Sequence, residues 1–450
     1  MPEEHRDKEN SNRIHAAEIV RKLKTSGYEA YFVGGCVRDF ILGFVSSDYD
    51  IVTSARPNEI TSLFPNTIAI GAKFGVIAII VENHLYEVAT FRGDDVYEDG
   101  RHPSRIHFSS AREDVFRRDF TINGLLMDPD SNKIIDYVDG RSDINNKIIR
   151  TIGDPEKRFN EDYLRMLRAV RFASNLDFII EPATQRAIKK NAEKIKQISA
   201  ERLREEIGKI LTRGGARHGF KLMADTGILK AILPEVDKLK GVEQPPRFHP
   251  EGDVWQHTLN MLDLLPQSGE TNENICLAWS VLLHDIGKAV TRTEDDNGVH
   301  FYGHVQQGEI IADDIMQQLK FSNAQKETVL NLIHHHMVFM NVQKMRPARL
   351  KRFLRMPDFD LHLELHRLDC LASHGILDNY EFCRDQLRSL NQIDLHPPRL
   401  LTGDDLIIMG FAPGKIIGKI LTALEEEQLE GKIRTTEEAR DYVRVNWMKQ

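Results

Sequence analysis

Apolar residues follow two different periods along the chain, and the change of period divides it into two parts. From about residue 13 to 150, short apolar runs that favour β-strands alternate with helical stretches such as "RIHAAEIVRKLKTSG". The strand-like runs are "AYFVGG", "YDIVTS", "VIAIIV", "LYEVATF" and "KIIDYVD". From residue 155 onward the β signal fades and the apolar spacing becomes helical. The pattern predicts an α+β protein in which an N-terminal α/β head is followed by all-α regions.

Breaks in this pattern predict where one region ends and the next begins. Most of them come from a polar start, the Pro/Gly-rich stretch "GVEQPPRFHPEG" at 241–252, and the sequence "DLHPPRLLTGDDL". Within the helical part, Ser199 before "AERLREEIGKIL" is typical of a helix N-cap. The expected regions are a disordered tail at 1–12, the head at 13–152, a helical neck at 153–240, a His-rich helical domain at 250–376 and a helical C-terminal module at 377–450.

The composition is that of an ordinary soluble protein, with 41% hydrophobic and 28% charged residues among 450 and a net charge of −8. No apolar run reaches the roughly 18 residues that a membrane span requires. The polar N-terminus also lacks the apolar core of a signal peptide. The four cysteines lie far apart, without metal-finger spacing. We therefore expect a cytoplasmic protein in a reducing environment, with no membrane partner.

Charge is distributed unevenly along the chain. Residues 155–217 carry 15 Lys/Arg against 9 Asp/Glu, although the whole chain is acidic. A basic stripe of this kind can bind a phosphate backbone. A solvated helix face has the same pattern, so the stripe alone does not decide between the two.

Paired carboxylates point to a metal site in the head. Asp48 and Asp50 stand two residues apart, so on a β-strand they would project from the same face. Their charges repel unless a cation lies between them, and oxygen ligands favour Mg²⁺. Glu87 in "LYEVATF" offers a third carboxylate, and such a set suits phosphoryl or nucleotidyl transfer. Just upstream, two glycines would let a triphosphate approach the backbone and an arginine could contact it: Gly34, Gly35 and Arg38.

These motifs, together with "FRRDFTINGLLMD" and "DPEKRFNEDYLRMLRAVRFA", resemble the bacterial class II tRNA nucleotidyltransferase and poly(A) polymerase family. The resemblance covers residues 30–210 and implies a polymerase-β-like nucleotidyltransferase head. It implies that Asp48 and Asp50 bind Mg²⁺, with Glu87 as a less constant third acid. It also implies that an "RRD…N" motif contacts triphosphate and sugar through Arg117, Arg118, Asp119 and Asn123. The implied substrates are ATP, CTP and the 3′ end of tRNA.

The sequence "EDYLR" matches the family's E-D-x-x-R motif, which implies a role in reading the base. Asp162 and Arg165 are three residues apart and would share one face of a helix. A carboxylate accepts from the exocyclic amino group of cytosine or adenine, and a guanidinium donates to the neighbouring ring nitrogen or carbonyl. Arg168 and Arg171 follow at the same spacing and would suit phosphates. The alternative is a salt-bridged amphipathic helix.

Two further stretches bear on which reaction the family resemblance implies. Residues 91–108, "FRGDDVYEDGRHPSRIHF", predict a mobile loop and resemble the flexible loop that members able to add the terminal A retain. The stretch "GAKFGVIAIIV" lacks the basic run typical of the poly(A) polymerase branch. We therefore expect addition of CCA, or of its terminal A, to tRNA. An A-adding specialist is the nearest alternative, and a poly(A) polymerase is the next.

A second constellation lies in the His-rich domain. Its members are His257, His284, Asp285 and Asp369. Each is expected in a helix, and imidazoles with carboxylates suit a divalent transition metal. The order H…HD…D, with "LLHDIGK", resembles the HD phosphohydrolase superfamily. That resemblance implies phosphatase or 2′,3′-cyclic phosphodiesterase chemistry, and a structural arm is the alternative. His304 and one histidine of 334–336 could add ligands for a second metal.

Overall fold

The computed structural model describes residues 3–46, 48–71, 75–94, 106–267, 269–296 and 298–448. The chain divides into two compact units, Met1–Asp237 and Lys238–Gln450. The expected head and neck therefore share one unit, and the expected His-rich and C-terminal regions share the other.

The first unit contains the sheet strands and the neck helices. Its strands are β1 (Ala30–Val33), β2 (Asp50–Thr53), β3 (Thr67–Gly71), β4 (Val76–Val81), β5 (His84–Thr90), β6 (Arg92–Asp94), β7 (Ile106–Phe108), β8 (Leu125–Met127), β9 (Ile134–Asp136), β10 (Ile148–Ile149) and β11 (Ile179–Ile180). Its helices are α1 (Glu3–Thr25), α2 (Gly35–Leu42), α3 (Pro57–Leu63), α4 (Ala111–Phe116), α5 (Gly140–Asn145), α6 (Pro155–Glu161), α7 (Leu164–Leu176), α8 (Pro182–Asn191), α9 (Ala200–Thr212), α10 (Ala216–Thr226), α11 (Ile228–Ile232) and α12 (Pro234–Asp237), with 3-10 helices at Thr121–Asn123 and Ala192–Gln197.

The head is built on a mixed sheet with the order β3-β4-β5-β2-β1-β8-β9. In it β2 and β5 run parallel, and the other neighbouring pairs are antiparallel. The core beside α4 is formed by the buried residues Val33, Val52, Phe91, Val115 and Leu126. Burial of each such side chain contributes about 1.5–3 kcal/mol, so these short strands are held by their shared apolar face.

The neck folds back onto the head. Within it α7 packs against α9 and α10. The turn before α10 needs a glycine, because Gly215 has φ 72° and a Cβ there would lie 2.1 Å from the carbonyl oxygen of Ser174. At the other end, β10 pairs in parallel with β11, which lies between α7 and α8. This small parallel pair ties the end of the head to the neck.

The second unit is mostly helical. Its helices are α13 (Val254–Asp263), α14 (Asn272–Leu283), α15 (Lys288–Thr291), α16 (His304–Gln318), α17 (Asn323–His335), α18 (Pro347–Leu354), α19 (Phe359–Ala372), α20 (Asp378–Ser389), α21 (Gln392–Leu395), α22 (Gly403–Ile408), α23 (Lys415–Leu429) and α24 (Thr436–Trp447), with a 3-10 helix at His336–Lys344. A hairpin of β12 (Thr293–Asp295) and β13 (Gly298–His300) interrupts them. The last three helices enclose a separate small core around Leu406, Ile420 and Val443.

The structure corrects three expectations about the fold. The tail predicted as disordered at 1–12 is helical from Glu3, where α1 begins. Residues 3–25 contain no glycine or proline that would interrupt the helix. The regions predicted as all-α also carry β11, which pairs with β10 of the head, and the hairpin β12–β13. The two ends of the predicted loop 91–108 pair as β6 and β7, and residues 95–105 lie outside the described residues.

The predicted start of α9 after Ser199 is confirmed. None of the helices in the described part of the chain combines the length and the apolarity that crossing a membrane requires.

Candidate active site and candidate metal centre

Three carboxylates converge at one end of the central strands of the head. Asp50 is the first residue of β2, and Ile51 lies opposite Val88 of the parallel strand β5. Asp50 and Glu87 each come one residue earlier on these strands, so they lie opposite each other and project from the same face of the sheet. Neighbouring strands are about 4.8 Å apart. Asp48 lies just before β2 rather than on it, so the prediction that both aspartates occupy one strand is wrong.

The electrostatics of this cluster call for a cation. The side chain of Asp50 is open to solvent, although neighbouring protein atoms partly desolvate its carboxylate. That desolvation, together with the charges of Glu87 and Asp48, raises the pKa of Asp50 to about 6, against the opposing effect of Arg118. Carboxylate oxygens on adjacent positions are the ligands that a hard divalent cation prefers, so the donor set fits such an ion.

The predicted glycines open the backbone beside the carboxylates. Gly34 has φ 77°, and a Cβ there would lie 3.8 Å from both Asp50 Oδ2 and Arg118 Nη1. Gly35 begins α2, and Arg38 lies one turn along the same helix, as predicted. A side chain at position 34 would occupy space between an acid and a base of the site, which a phosphate could fill instead.

The two predicted arginines of the "RRD" motif are held by a residue that the sequence analysis missed. Asp114 is fully buried, and it accepts from Arg117 Nε at 2.9 Å and from Arg118 Nη2 at 2.9 Å. Burial alone would raise the pKa of Asp114, but Arg118 and Arg117 hold it below its usual value. Its spacing of three and four residues from the arginines on a helix could have identified it.

Arg158 of the neck, also missed, supports the same motif from the other side. Its guanidinium donates to the backbone carbonyls of Arg117 and Arg118 and pairs with Glu161. Arg165 pairs with Glu161 as well and donates to the carbonyl of Arg158 at 2.9 Å. A single carboxylate thus joins a residue that supports the triphosphate motif to a residue predicted to read the base.

The remaining predicted head residues form a chain of hydrogen bonds. Arg38 donates to Asn123 Oδ1 at 3.0 Å, and Asn123 Nδ2 donates to Asp119 Oδ1 at 3.3 Å. Arg168 donates to Asp119 Oδ2 through Nε at 2.8 Å and Nη2 at 2.5 Å. Burial would raise the pKa of Asp119, but Arg168 and Arg165 hold it well below its usual range. Asp119 therefore stays ionised and fixes the neck helix to the head motif.

Three predicted arginines surround one aromatic ring. The guanidinium carbons of Arg38, Arg168 and Arg171 lie 5.4, 5.3 and 4.0 Å from the ring centre of Phe172. Arg171 is buried and donates to Glu206 Oε2 at 2.6 Å. Arg171 therefore forms an internal ion pair, which differs from the phosphate contact predicted for it. The side chain of Arg168 remains partly exposed.

The predicted helical pair Asp162 and Arg165 is arranged differently from the expectation. Asp162 has φ −150° and lies in the break between α6 and α7, so the two residues do not share one continuous helix. Its Oδ1 accepts from the backbone N–H of Leu164 at 3.0 Å, and its Oδ2 pairs with Arg202 Nη2 at 2.7 Å. Asp162 therefore bonds to the first residue of α7 and is held from a second helix by Arg202, which the spacing argument could not detect.

The second unit brings the predicted HD residues together. His257 Nε2 lies 3.2 Å from Asp369 Oδ1, and the His257 and His284 rings are 5.5 Å apart. His284 and Asp285 follow the end of α14, so the prediction that each lies within a helix is wrong for this pair. Burial lowers the pKa of His257, but the carboxylates of Asp369 and Glu251 outweigh it and raise that pKa to about 9.

The second ligand group left open by the sequence is Asp285, His304 and His336. Asp285 Oδ1 lies 3.8 Å from His304 Nε2 and 3.9 Å from His336 Nε2. His334 is instead exposed and faces Glu309 at 2.8 Å, so the third histidine of the run is the one that turns inward. Burial lowers the pKa of His336 to about 4, which leaves its imidazole neutral.

Orphaned polar atoms support a metal at this centre. Among the described residues, five buried ligand atoms of this centre have no hydrogen-bond partner: the Nε2 atoms of His257, His284, His304 and His336, and Oδ1 of Asp285. An unpartnered buried polar atom is costly, whereas bound metal would satisfy all five. Imidazoles and carboxylates with these ligand atoms close together fit a divalent transition metal.

A mixed-sheet head with converging carboxylates, a helical neck and a histidine-rich helical unit together define a nucleotidyltransferase architecture with an HD domain. Three family models match the chain: "Poly A polymerase head domain" at 30–150, "Probable RNA and SrmB- binding site of polymerase A" at 177–240, and "HD domain" at 254–366. The predicted head and HD domain are thereby confirmed.

The chain belongs to the family of CCA-adding enzymes. It is 34% identical over 426 residues to the CCA-adding enzyme of Ligilactobacillus salivarius, which covers 93% of this chain and 92% of that enzyme. It is 42% identical over 254 residues to the enzyme of Lactobacillus johnsonii and 47% identical over 220 residues to that of Geobacillus stearothermophilus. In these last two alignments the chain spans 64% and 54% of the relatives' own length.

Solved structures give the same picture. The crystal structure of the Bacillus stearothermophilus CCA-adding enzyme in complex with CTP is 27% identical, with a TM-score of 0.70 over 97% of this chain and 98% of that chain. The fold is also that of the Thermotoga maritima CCA-adding enzyme complexed with tRNA, at 21% identity and a TM-score of 0.58 over 96% of this chain and 94% of that one.

The Asp114 contacts generate a stability prediction. Asp114→Asn removes the charge that holds Arg117 and Arg118, and we expect the free energy of unfolding at neutral pH to fall by about 1.5–3 kcal/mol. Because the folded pKa of Asp114 is lowered, the difference from wild type is fully present above about pH 3.9. It should disappear as the pH falls through the folded value. Urea unfolding at several pH values measures it, with the exposed neighbour Glu113→Gln as control.

Equal losses in Asp114→Asn and Glu113→Gln, or a difference that does not change with pH, would contradict the role given to Asp114.

Proposed function

We propose that the chain is a template-independent tRNA nucleotidyltransferase that adds CCA to tRNA 3′ ends from CTP and ATP and releases pyrophosphate. The observation that carries this proposal is the register of β2 and β5, which brings Asp50 and Glu87 onto one sheet face beside Asp48. Family membership and the structure of a relative in complex with CTP support the choice of reaction.

The carboxylates define where the reaction would take place. Asp48 and Asp50 would hold Mg²⁺, which when bound helps to activate the terminal ribose 3′-hydroxyl and stabilises the leaving pyrophosphate. Glu87 adds negative charge next to Asp50 and strengthens the demand for a cation there. Without a cation the raised pKa of Asp50, about 6, makes its carboxylate easier to protonate than an ordinary aspartate, so ion and proton compete for it as the pH falls.

The chain's own cations would bind the triphosphate. Arg118 is anchored by the buried Asp114 and lies near the carboxylate cluster, since Arg118 Nη1 and Asp50 Oδ2 are both 3.8 Å from the Cβ position of Gly34. Arg117 shares the same anchor. Guanidinium groups bind phosphate oxygens through paired N–H groups, and anchored side chains lose little entropy on binding. Arg38 and Arg168 would extend this positive surface.

Base choice would come from the break between α6 and α7. Asp162 would accept from the exocyclic amino group of cytosine or adenine, and Arg165 would donate to the neighbouring ring nitrogen or carbonyl. Uracil and guanine present a different order of donors and acceptors at these positions. The contacts of Asp162 with Arg202 and of Arg165 with Glu161 restrict the movement of both side chains.

The setting of the reaction follows from the substrates and the cysteines. The four cysteines are free and buried, in keeping with a reducing cytoplasm where tRNA is processed. The proposed partners are tRNA, ATP and CTP. An A-adding specialist or a poly(A) polymerase of the same fold is not favoured by the relatives, which are described as CCA-adding enzymes.

Nucleotide incorporation tests the proposal. Three tRNA transcripts, ending before CCA, after CC and after CCA, are incubated with CTP and ATP together and separately, and products are resolved at single-nucleotide length. We expect the first transcript to gain CCA and stop. Asp50→Asn removes a ligand charge and should lower incorporation by about 1,000-fold or more, as for the loss of a principal electrostatic contact in an active site.

Extension of only the CC-ended transcript, by one A, would identify an A-adding specialist instead. Long A tails on all three transcripts would identify a poly(A) polymerase. Substantial incorporation by Asp50→Asn would contradict the metal-binding role of Asp50.

The HD domain is proposed as a second, metal-dependent phosphohydrolase site, because its buried ligand atoms lack partners. His257, His284, Asp285 and Asp369 would hold one divalent transition metal, and His304 and His336 would complete a second position through Asp285. A metal bound here would activate a water molecule for attack on a phosphate ester, as in phosphatase or 2′,3′-cyclic phosphodiesterase chemistry.

The inward turn of His336 generates a prediction about metal content. His336→Ala removes a neutral, buried ligand. Loss of a residue that only supports a ligand lowers metal affinity by up to about 100-fold, so we expect loss of a ligand itself to lower Co²⁺ affinity by about 100-fold or more. His334→Ala is the matched control, because His334 belongs to the same run but is exposed. Metal analysis after dialysis against Co²⁺ measures both. Equal metal content in the two variants would exclude His336 as a ligand.

A further inference from the structure

Residues of the predicted linker 241–252 line the HD metal centre. The sequence pattern indicates only a Pro/Gly-rich connection, yet three side chains of the stretch contact the centre or its neighbours. They are Gln244, His249 and Glu251, of which Gln244 is buried and Glu251 has a side chain only 8% exposed. Burial of polar side chains in a connecting segment calls for a reason.

Glu251 contacts two imidazoles through one oxygen. Its Oε1 lies 2.7 Å from His257 Nδ1 and 2.9 Å from His249 Nδ1. The rings of His249 and His257 stand edge to face with centroids 5.1 Å apart. The arrangement makes Glu251 the acceptor for the Nδ1–H of both rings.

This contact determines which nitrogen of His257 is available. An imidazole that donates through Nδ1 and binds a metal must do so through Nε2. His257 Nε2 points towards Asp369 Oδ1, at 3.2 Å, and His257 lies beside His284. A carboxylate on the outer nitrogen fixes the tautomer and the ring orientation of a histidine ligand and makes it a stronger donor.

The linker also supports the aspartate side of the centre. Gln244 Oε1 accepts from Lys288 Nζ at 2.7 Å, and Lys288 pairs with Asp285 Oδ2 at 2.7 Å. Asp285 Oδ1 is left facing His304 and His336. One segment therefore orients a histidine ligand directly and an aspartate ligand through a lysine.

We propose that the 241–252 segment is a working part of the HD metal centre, in which Glu251 is the positioning residue that orients His257 and sets the metal affinity. The inference rests on the metal binding proposed above for the HD domain. It assigns to the segment a role that the H…HD…D pattern does not contain.

Co²⁺ binding to the full chain tests this inference. Glu251→Gln keeps the shape of the side chain but removes its charge, and we expect Co²⁺ affinity to fall by about 10- to 100-fold. Glu243→Gln is the matched control, because Glu243 belongs to the same segment and its side chain is 80% exposed. Isothermal titration with Co²⁺ gives the affinities, and thermal melting of the metal-free variants shows that both are folded.

Equal Co²⁺ affinity in wild type and Glu251→Gln would overturn the role of Glu251 while leaving the HD metal site intact. Absence of Co²⁺ binding by the wild type would overturn both. A second measurement needs no variant: ¹⁵N–¹H correlation of histidine-labelled, Zn²⁺-loaded protein should show His257 with a proton on Nδ1. A proton on Nε2 in that form would overturn the inference.

Discussion

The arrangement of the head depends on one electrostatic constraint, the repulsion between the carboxylates of Asp50 and Glu87. The parallel register of β2 and β5 places the two carboxylates side by side at the sheet surface, and Asp48 adds a third charge nearby. Such a cluster is stable only with a counter-charge, which a divalent cation and the Arg118 side chain can supply. The glycine at position 34 keeps the space between acid and base open.

A second feature follows from the first, because cations near a negative cluster must be prevented from collapsing onto it. The predicted arginines are held by carboxylates: Arg117 and Arg118 of the head share Asp114, and in the neck Arg168 pairs with Asp119 and Arg165 with Glu161. Arg158 adds a bridge from the neck to the backbone of the motif. In the proposed reaction the arginines would thereby be fixed in position before a triphosphate binds, which would lower the entropy cost of binding.

Sequence alone predicted the mixed α/β head and the four HD residues, because strand periodicity and the H…HD…D order are local signals. It could not give the β2–β5 register, which depends on a crossover between distant strands, nor the break at Asp162, where spacing of three suggested a continuous helix. Asp114 was within reach of the helical spacing rule. Glu251 was not, since its contact with His257 forms only when the linker has folded against the HD helices.

The central claim is that protein side chains take the place of a template. The most direct measurement compares incorporation of CTP, ATP, UTP and GTP by wild type and Asp162→Ala, with the exposed Glu193→Ala as control. The account predicts that Asp162→Ala lowers the preference for CTP and ATP over UTP and GTP by about 10-fold or more, because the base loses a specific hydrogen-bond partner. Addition of CTP itself should slow less. Equal loss with all four nucleotides would contradict base reading by Asp162.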